Sequence, residues 1–213
     1  LEMGRYLSTS GHNSIVISAG GRMVEQLEME GSEHIKWSVG SKRPKCLLYI
    51  FPLRKLLSDR SVDILHLRSR MPAWVGYIAW LSLPKKKRPV LVTTFHGFYS
   101  VNKYSAIMTK GDGIIAVYES IKKHIFEKYE VKSDVRLVFR GVDEEVFDPE
   151  KVNSSRLEIL QKAWRINRDV PVIMLTGRLT RLKGQDVFIK SLLHVKNYAF
   201  QAILVGDIKE NPG

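Results

Sequence analysis

The chain has 213 residues, of which 44% are hydrophobic, so it can bury a sizeable core and a disordered class is excluded. Its formal net charge of +12 indicates an anionic partner, such as a nucleotide, a nucleic acid, an acidic lipid or a phosphorylated substrate. A single cysteine, Cys46, excludes an internal disulfide and a cysteine-rich zinc site.

Seven short runs rich in valine and isoleucine are typical of buried strands. Helical patterns lie between several of them, beginning with LEMGRYLSTSG at the start of the chain. Strands that alternate with helices predict parallel sheets joined by right-handed crossovers, and therefore an α/β fold. In chain order the strand-like runs are residues 15–20, 63–68, 90–95, 113–118, 135–139, 172–177 and 202–207.

The alternation of strands and helices is interrupted once. The segment 148–169 is polar and helix-forming and carries a proline at position 149. We therefore predict a Rossmann-like domain over residues 1–148, a linker over 149–167, and the beginning of a second Rossmann-like domain over 168–213.

The most apolar helical pattern, residues 71–84, is followed by the basic run Lys85–Arg88. A membrane-spanning helix needs about 20 apolar residues, whereas this segment is shorter and has a proline near each end. We therefore predict a buried crossover helix with one apolar stripe facing the core. The stripe contains Trp74, Tyr77, Ile78 and Leu81. The basic run predicts either a solvated loop or a contact with anionic lipid headgroups.

A basic turn, GRLTRLKG, follows the sixth strand-like run. Gly177 ends the strand and Gly184 precedes the next helical pattern, so the turn lies at the carboxyl end of a parallel strand, where open α/β sheets bind ligands. Arg178 and Lys183 offer a guanidinium fork and an ammonium group, which together suit a diphosphate. Simple solvation of these charges, and of Arg181, is the alternative interpretation.

Several segments, taken together and in order, resemble a known family. They are LEMGRYLSTSGHNSIVISAGG, TFHGFYSVNKYS, IIAVYESIKKHIFEKYEVKSDVRLVFRGVDEEVFDP, and GRLTRLKGQDVFIKSL with the following AILVGD. The chain resembles the retaining glycosyltransferases of the GT-B fold in the family usually called group 1 or family 4. The resemblance covers nearly the whole chain and implies two Rossmann-like domains with parallel sheets, the second only partly present.

The resemblance implies a hexosyltransferase-type activity. A sugar would move from a nucleotide-sugar donor to an acceptor hydroxyl with retention of the anomeric configuration, without a metal or another cofactor. Arg178 and Lys183 would stabilise the negative charge of the leaving diphosphate, which is greater in the transition state than in the ground state. No Asp-x-Asp pair lies near a strand end, which is consistent with a metal-free reaction.

The resemblance also assigns donor-side residues. His96, at the end of the run VLVTTF, is expected to orient the donor sugar and so to join Arg178 and Lys183 as a catalytic residue. Three glycines are expected to let the backbone approach the donor. They are Gly97, Gly177 and Gly184.

Other positions have less specific roles. His66 and Arg68 end the run DILHLR and are candidate acceptor-side residues, with ordinary strand-end polarity as the equal alternative. Tyr118 and Arg140 stand where the family usually has serine and asparagine. We interpret both departures as features of a subgroup rather than of catalysis.

The stretches HLRSRMPAW and FHGFYSVNKYS resemble a bacterial subgroup associated with lipopolysaccharide and other envelope glycans. We therefore expect a glycan or lipid-linked acceptor, and a cytoplasmic enzyme that contacts the anionic inner face of the cell membrane as a peripheral protein. Compared with the family, the chain begins inside the first helix, after the first strand, and ends before the paired glutamates that hold the donor. We expect it to be inactive alone.

Two alternatives come from other functional classes. The first is a basic nucleic-acid-binding protein, although the sequence lacks zinc ligands, an aromatic sheet motif and a recognition-helix pattern, so we expect no nucleic-acid partner. The second is a non-catalytic GT-B protein that serves only as a binding partner.

Overall fold

The computed structural model describes residues 1–41 and 43–207 of the chain. Within this part the strands are β1 (Ile15–Ser18), β2 (Glu33–Lys36), β3 (Ile64–Leu67), β4 (Val90–Phe95), β5 (Gly113–Ala116), β6 (Asp134–Leu137), β7 (Val172–Thr176) and β8 (Gln201–Val205). The α-helices are α1 (Glu2–Thr9), α2 (Val24–Met29), α3 (Ile50–Asp59), α4 (Arg70–Leu81), α5 (Glu119–Lys128), α6 (Ser154–Ala163) and α7 (Gln185–Ser191). Residues 208–213 of the predicted second domain lie outside the described residues.

The strands form three sheets, with the orders β1-β2, β3-β4-β5-β6 and β7-β8, and each of these neighbouring pairs is parallel. This arrangement confirms the predicted α/β class with parallel sheets. In the four-stranded sheet Leu67 pairs with Thr93 and Phe95 pairs with Ala116. The carboxyl ends of its strands therefore meet at one edge, and this edge carries part of the candidate site.

The chain divides into two compact units, Leu1–Gly141 and Val142–Gly213, which we call unit 1 and unit 2. The division precedes the predicted boundary at residue 148. The segment predicted as a linker contains α6, which belongs to unit 2. The Asn153 side chain caps this helix, since its Oδ1 accepts hydrogen bonds from the backbone N–H groups of Ser155 and Arg156. The helix-forming character read from the sequence of this segment is therefore correct, although its residues are mostly exposed and polar.

The core of unit 1 consists of two apolar clusters. The larger one surrounds Leu91 and Phe95 of β4 and includes Ile121 and Ile125 of α5. The smaller one packs α3 against α4 and includes the buried Cys46. In unit 2 the side chains of the described residues are half-buried or exposed.

Helix α4 is the apolar segment that follows β3. The prediction of a buried crossover helix is confirmed. Half of the predicted core stripe is correct, since Trp74 and Tyr77 pack against the larger core cluster, but the other half is wrong, since Ile78 and Leu81 are 36% and 43% exposed. The buried positions are instead Ala73, Val75, Gly76 and Ala79. Small residues face the core because α4 passes close to β3, and a Cβ atom on Gly76 would lie 2.5 Å from Cδ2 of Leu67. No helix in the described part of the chain is long and apolar enough to cross a membrane.

Candidate functional site

Polar side chains gather in unit 1 where β3 and β4 end. His66 lies on β3, and its Nε2 is 2.7 Å from the hydroxyl oxygen of Thr94 on β4. His96 follows β4 directly, and its Nδ1 is 2.9 Å from Nη2 of Arg140, which follows β6. The parallel register of β3 to β6 brings these groups to the same edge of the sheet.

Both histidines of this edge are neutral at physiological pH. Burial lowers the pKa of His66 from 6.5 to about 4, and the charge of Arg68 and the nearby His96 add to the effect. Burial likewise lowers the pKa of His96 to about 4, with further contributions from Arg68 and Arg140. Neither arginine has a carboxylate at salt-bridge distance in the described part of the chain. The edge therefore presents neutral imidazoles in a positive field.

Gly97 follows His96 at the same edge. A Cβ atom added to Gly97 would meet no atom within 4 Å, so the chain's own packing does not require glycine at this position. The open space is consistent with close approach of a ligand to the backbone, the role expected from the sequence. That role stays a prediction.

A cleft of about 560 Å³ opens where β1, β2 and β3 end. Four serines contribute to its lining, and they are Ser18, Ser38, Ser41 and Ser69. Serine hydroxyls both donate and accept hydrogen bonds, as the hydroxyls of a sugar do. Ser69 directly follows Arg68 in the chain. Arg68, a candidate acceptor-side residue, therefore lies beside the cleft.

The basic turn of unit 2 begins where β7 ends. The backbone N–H of Gly177 donates to the carbonyl of Val205 at 2.8 Å and so extends the pairing of β7 with β8. Gly177 and Gly184 adopt φ angles of +152° and +72°, which side chains disfavour. Between them, Arg181–Lys183 form a 3-10 turn, and the Gln185 amide donates to the carbonyl of Arg178 at 2.9 Å. The start of the turn is therefore tied to β8, and its end is tied back to its start by the Gln185 side chain.

The two cations predicted to hold a diphosphate belong to this turn. A Cβ atom on Gly177 would lie 3.4 Å from Cδ of Lys183, so the lysine stem runs back across Gly177 towards the start of the turn, where Arg178 lies. Both Arg178 and Lys183 are exposed, and neither pairs with a carboxylate within residues 1–41 and 43–207. Their charges are therefore available to an anion. The catalytic role of these two residues stays a prediction.

The structure adds Thr94 to the residues singled out from the sequence and brings Arg140 to the candidate site. Arg140 was interpreted as a subgroup feature, whereas its side chain contacts His96. The signal that could have found it is its position, since it closely follows a predicted parallel strand and so belongs to the ligand-binding edge. In the described residues no three histidine, cysteine, aspartate or glutamate side chains are arranged to hold a metal ion. A metal-free reaction stays a prediction from the resemblance.

Comparison with known proteins places this chain among glycosyltransferases. A family model described as Glycosyltransferase Family 4 matches residues 1–146. The chain is similar to a solved glycosyltransferase from Rickettsia africae ESF-5, with 33% identity and a TM-score of 0.80 over 99% of this chain. It is also similar to Anabaena HepE, solved in complex with UDP and glucose, with 18% identity and a TM-score of 0.70 over 96% of this chain. A search of curated proteins gave no match.

The chain spans 56% of the length of each of these two solved proteins. The likeness to HepE is a likeness of fold, because the identity is low. Together the two structures confirm the predicted GT-B type of α/β fold. Since the family model matches more than half of its residues, the chain belongs to glycosyltransferase family 4.

Proposed function

We propose that this chain forms part of an enzyme that transfers a hexose from a nucleotide-sugar to an acceptor hydroxyl with retention of the anomeric configuration. The observation that carries this proposal is the basic turn after β7, where Arg178 and Lys183 lie without carboxylate partners in the described residues. Membership of the family supports glycosyl transfer as the reaction class.

The turn has the properties that a diphosphate site needs. The Arg178 guanidinium can bind two oxygens at once, and the Lys183 ammonium adds a compact positive charge. The glycines at both ends of the turn adopt φ angles that residues with side chains disfavour. A preorganised pair of cations needs little rearrangement when the charge of the leaving group grows. A nucleoside diphosphate is therefore the leaving group that this turn fits.

In the proposed reaction the bond between the anomeric carbon and the diphosphate oxygen breaks, and a bond between that carbon and the acceptor oxygen forms. The acceptor's proton passes to the departing diphosphate. Arg178 and Lys183 stabilise the developing anion, and this stabilisation raises the rate because it is stronger in the transition state than in the ground state. Attack on the face from which the diphosphate leaves gives retention.

Unit 1 supplies groups suited to sugars. His96 orients the donor sugar, and Gly97 leaves room for it. The serine-lined cleft beside Arg68 is the proposed acceptor site, with hydroxyls that match those of a glycan. Arg68 favours an acceptor that carries a phosphate or another anionic group, because its charge has no carboxylate partner in the described part of the chain.

We further propose that the acceptor is an envelope glycan or its lipid-linked precursor, of the lipopolysaccharide type, used at the cytoplasmic face of the membrane. A basic and apolar surface of unit 1 supports this. Phe51, at the start of α3, and Leu48, in the 3-10 turn directly before it, are 73% and 66% exposed. Arg54 of the same helix donates to the carbonyl of Ser82 near the end of α4, and Lys85–Lys87 follow closely in the sequence. Exposed apolar groups next to lysines suit an anionic lipid surface.

The test of the reaction class uses the full-length protein with a panel of nucleotide-hexoses and a synthetic phosphorylated glycan acceptor. We expect one donor to give a product whose anomeric configuration, measured by proton NMR, is that of the donor. A product of opposite configuration would contradict retention. Failure to form product or release nucleoside diphosphate with any donor would contradict the transferase proposal and favour a binding role.

A further inference from the structure

In the hydrogen bond between Arg140 and His96, the donor and the acceptor can be assigned. Arginine is protonated throughout the physiological range and has donors only, so its Nη2 must donate in the 2.9 Å contact with Nδ1 of His96. Nδ1 is then the acceptor and carries no proton. A neutral imidazole has one proton, which must therefore reside on Nε2.

We propose that Arg140 is a positioning residue that locks His96 in the tautomer with the proton on Nε2, so that His96 donates a hydrogen bond to a substrate oxygen. This inference rests on the proposed function, since it names the role of His96 in that site. The ligand group is a hydroxyl, ether or phosphate oxygen of a sugar or sugar phosphate. The same lock excludes Nε2 as the base that removes a proton from the acceptor, because Nε2 already holds one.

The surroundings of His96 favour this state. Its Nε2 has no hydrogen-bond partner among the described residues and is free to meet a ligand. The backbone directly before His96 is anchored, since Phe95 is fully buried in the core. His66, the other histidine at this edge, is held by its own contact with Thr94.

Burial and nearby positive charge together keep the imidazole neutral. The groups that face His96 are Arg68 from the end of β3, His66 on β3 and Arg140 after β6. Burial is the main cause that lowers the pKa of His96 to about 4, and the two arginines add to it because they oppose a further positive charge on the ring. Arg68 contributes charge alone, since no hydrogen bond joins it to His96 in the described residues, whereas Arg140 contributes charge and a hydrogen bond.

Nitrogen-15 NMR of the 213-residue chain tests the lock without any substrate. Long-range correlations of the ring distinguish a protonated from an unprotonated nitrogen, and the His96→Asn variant assigns the signals. We expect an unprotonated Nδ1 and a protonated Nε2 for His96 at pH 7. A protonated Nδ1 in the unmodified chain would overturn the proposal, whatever any variant does.

Three variants separate the hydrogen bond from the charge. Arg140→Ala should give a mixture of tautomers and raise the pKa of His96 from about 4 towards 6.5. Arg140→Lys retains a positive group that can only donate, so both the tautomer and the low pKa should persist. Arg68→Ala is the matched control, in which the pKa should rise with the tautomer unchanged. An unchanged single tautomer in Arg140→Ala would overturn the lock.

The proposed function can fail separately from this inference. If the full-length protein transferred no sugar while the NMR result held, the lock would stand and its assigned role would fall. If transfer occurred and His96 carried its proton on Nδ1, the transferase proposal would stand and the lock would fall.

Discussion

A Cβ atom on Gly206 would overlap the carbonyl oxygen of Gly177. Gly206 and Gly177 directly follow β8 and β7, and the Gly177 N–H also donates to the carbonyl of Val205 at 2.8 Å. The two strands are thus held together directly before the basic turn. The turn that carries Arg178 and Lys183 therefore starts from a fixed backbone position.

Replacing Gly206 with alanine should destabilise this end of unit 2. The added methyl group meets backbone rather than a flexible side chain, so we expect a cost of about 2–3 kcal/mol, on the scale of stored backbone strain. Hydrogen exchange of the β7 and β8 amides is the measurement. Gly141→Ala is the control, because a Cβ atom there meets nothing within 4 Å. Equal protection in both variants would show that the two strand ends do not approach closely.

Acid should destabilise unit 1 through the two histidines at its polar edge. The folded chain holds the pKa of both His66 and His96 near 4, whereas unfolding returns them to about 6.5. Between these values the unfolded state binds more protons, so stability falls as pH falls from about 6.5 to 4. After allowance for solvent screening, each histidine accounts for about 1–2 kcal/mol.

Urea unfolding of the whole chain at pH 8, 6 and 4.5, followed through the signals of unit 1, measures this fall in the free energy of unfolding. The double variant His66→Asn, His96→Asn should show a shallower fall over the same range. If the unmodified chain were equally stable at pH 8 and 4.5, or more stable in acid, the burial of the two imidazoles would be in error.

Arg88 should stabilise the fold, unlike the lysines before it. Its guanidinium donates to the carbonyls of Leu81 and Leu83 at 2.6 and 3.0 Å and lies 4.6 Å from the centre of the Trp80 ring. These hydrogen bonds satisfy backbone carbonyls at the end of α4, so Arg88→Ala should lower the free energy of unfolding by about 2 kcal/mol. Lys87→Ala should cost about 0.5 kcal/mol or less, as is usual at exposed positions. Thermal unfolding of both variants checks the difference, and equal losses would contradict it.

Binding to anionic membranes should depend on the lysines and on the apolar start of α3. We expect the variant with Lys85–Lys87 changed to glutamine, and separately Phe51→Ser, to bind anionic vesicles several-fold more weakly in cosedimentation. Arg88 stays unchanged, because its loss would disturb the fold. The matched control changes Lys122, Lys123 and Lys128 of α5 to glutamine. If both lysine variants lost binding equally, net charge alone would explain it and the proposed surface would be wrong.

Much of the fold could be predicted because it depends on pattern. Alternating apolar strands and helices determine an α/β class with parallel sheets, and the structure agrees. Local turn chemistry is of the same kind, since the carboxylate of Asp143 accepts hydrogen bonds from the backbone N–H groups of Glu145 and Val146. These features need only local chemistry and periodicity.

The features that the sequence concealed depend on contacts between distant segments. The core face of α4 is made of small residues because β3 is close, and periodicity favoured the larger, more apolar residues instead. Arg140 and His96 meet although 44 positions separate them in the chain, so no local pattern joins them. Arg88 looked like one more charge of a basic run until its contacts with α4 were seen.

The most direct test of the central claim replaces Arg178 and Lys183 in the full-length protein. Circular dichroism first establishes that each variant folds, and turnover of the nucleotide-sugar is then measured under single-turnover conditions. Arg178→Ala and Lys183→Ala should each slow transfer by about a hundredfold or more, the scale for loss of one charge-stabilising donor. The double variant should lose less than the product of the single losses, because both cations act on one diphosphate. Arg181→Ala, on the same turn, is the matched control and should lose far less. Near-normal turnover by both single variants would contradict the diphosphate site and leave the turn's positive charge to solvation.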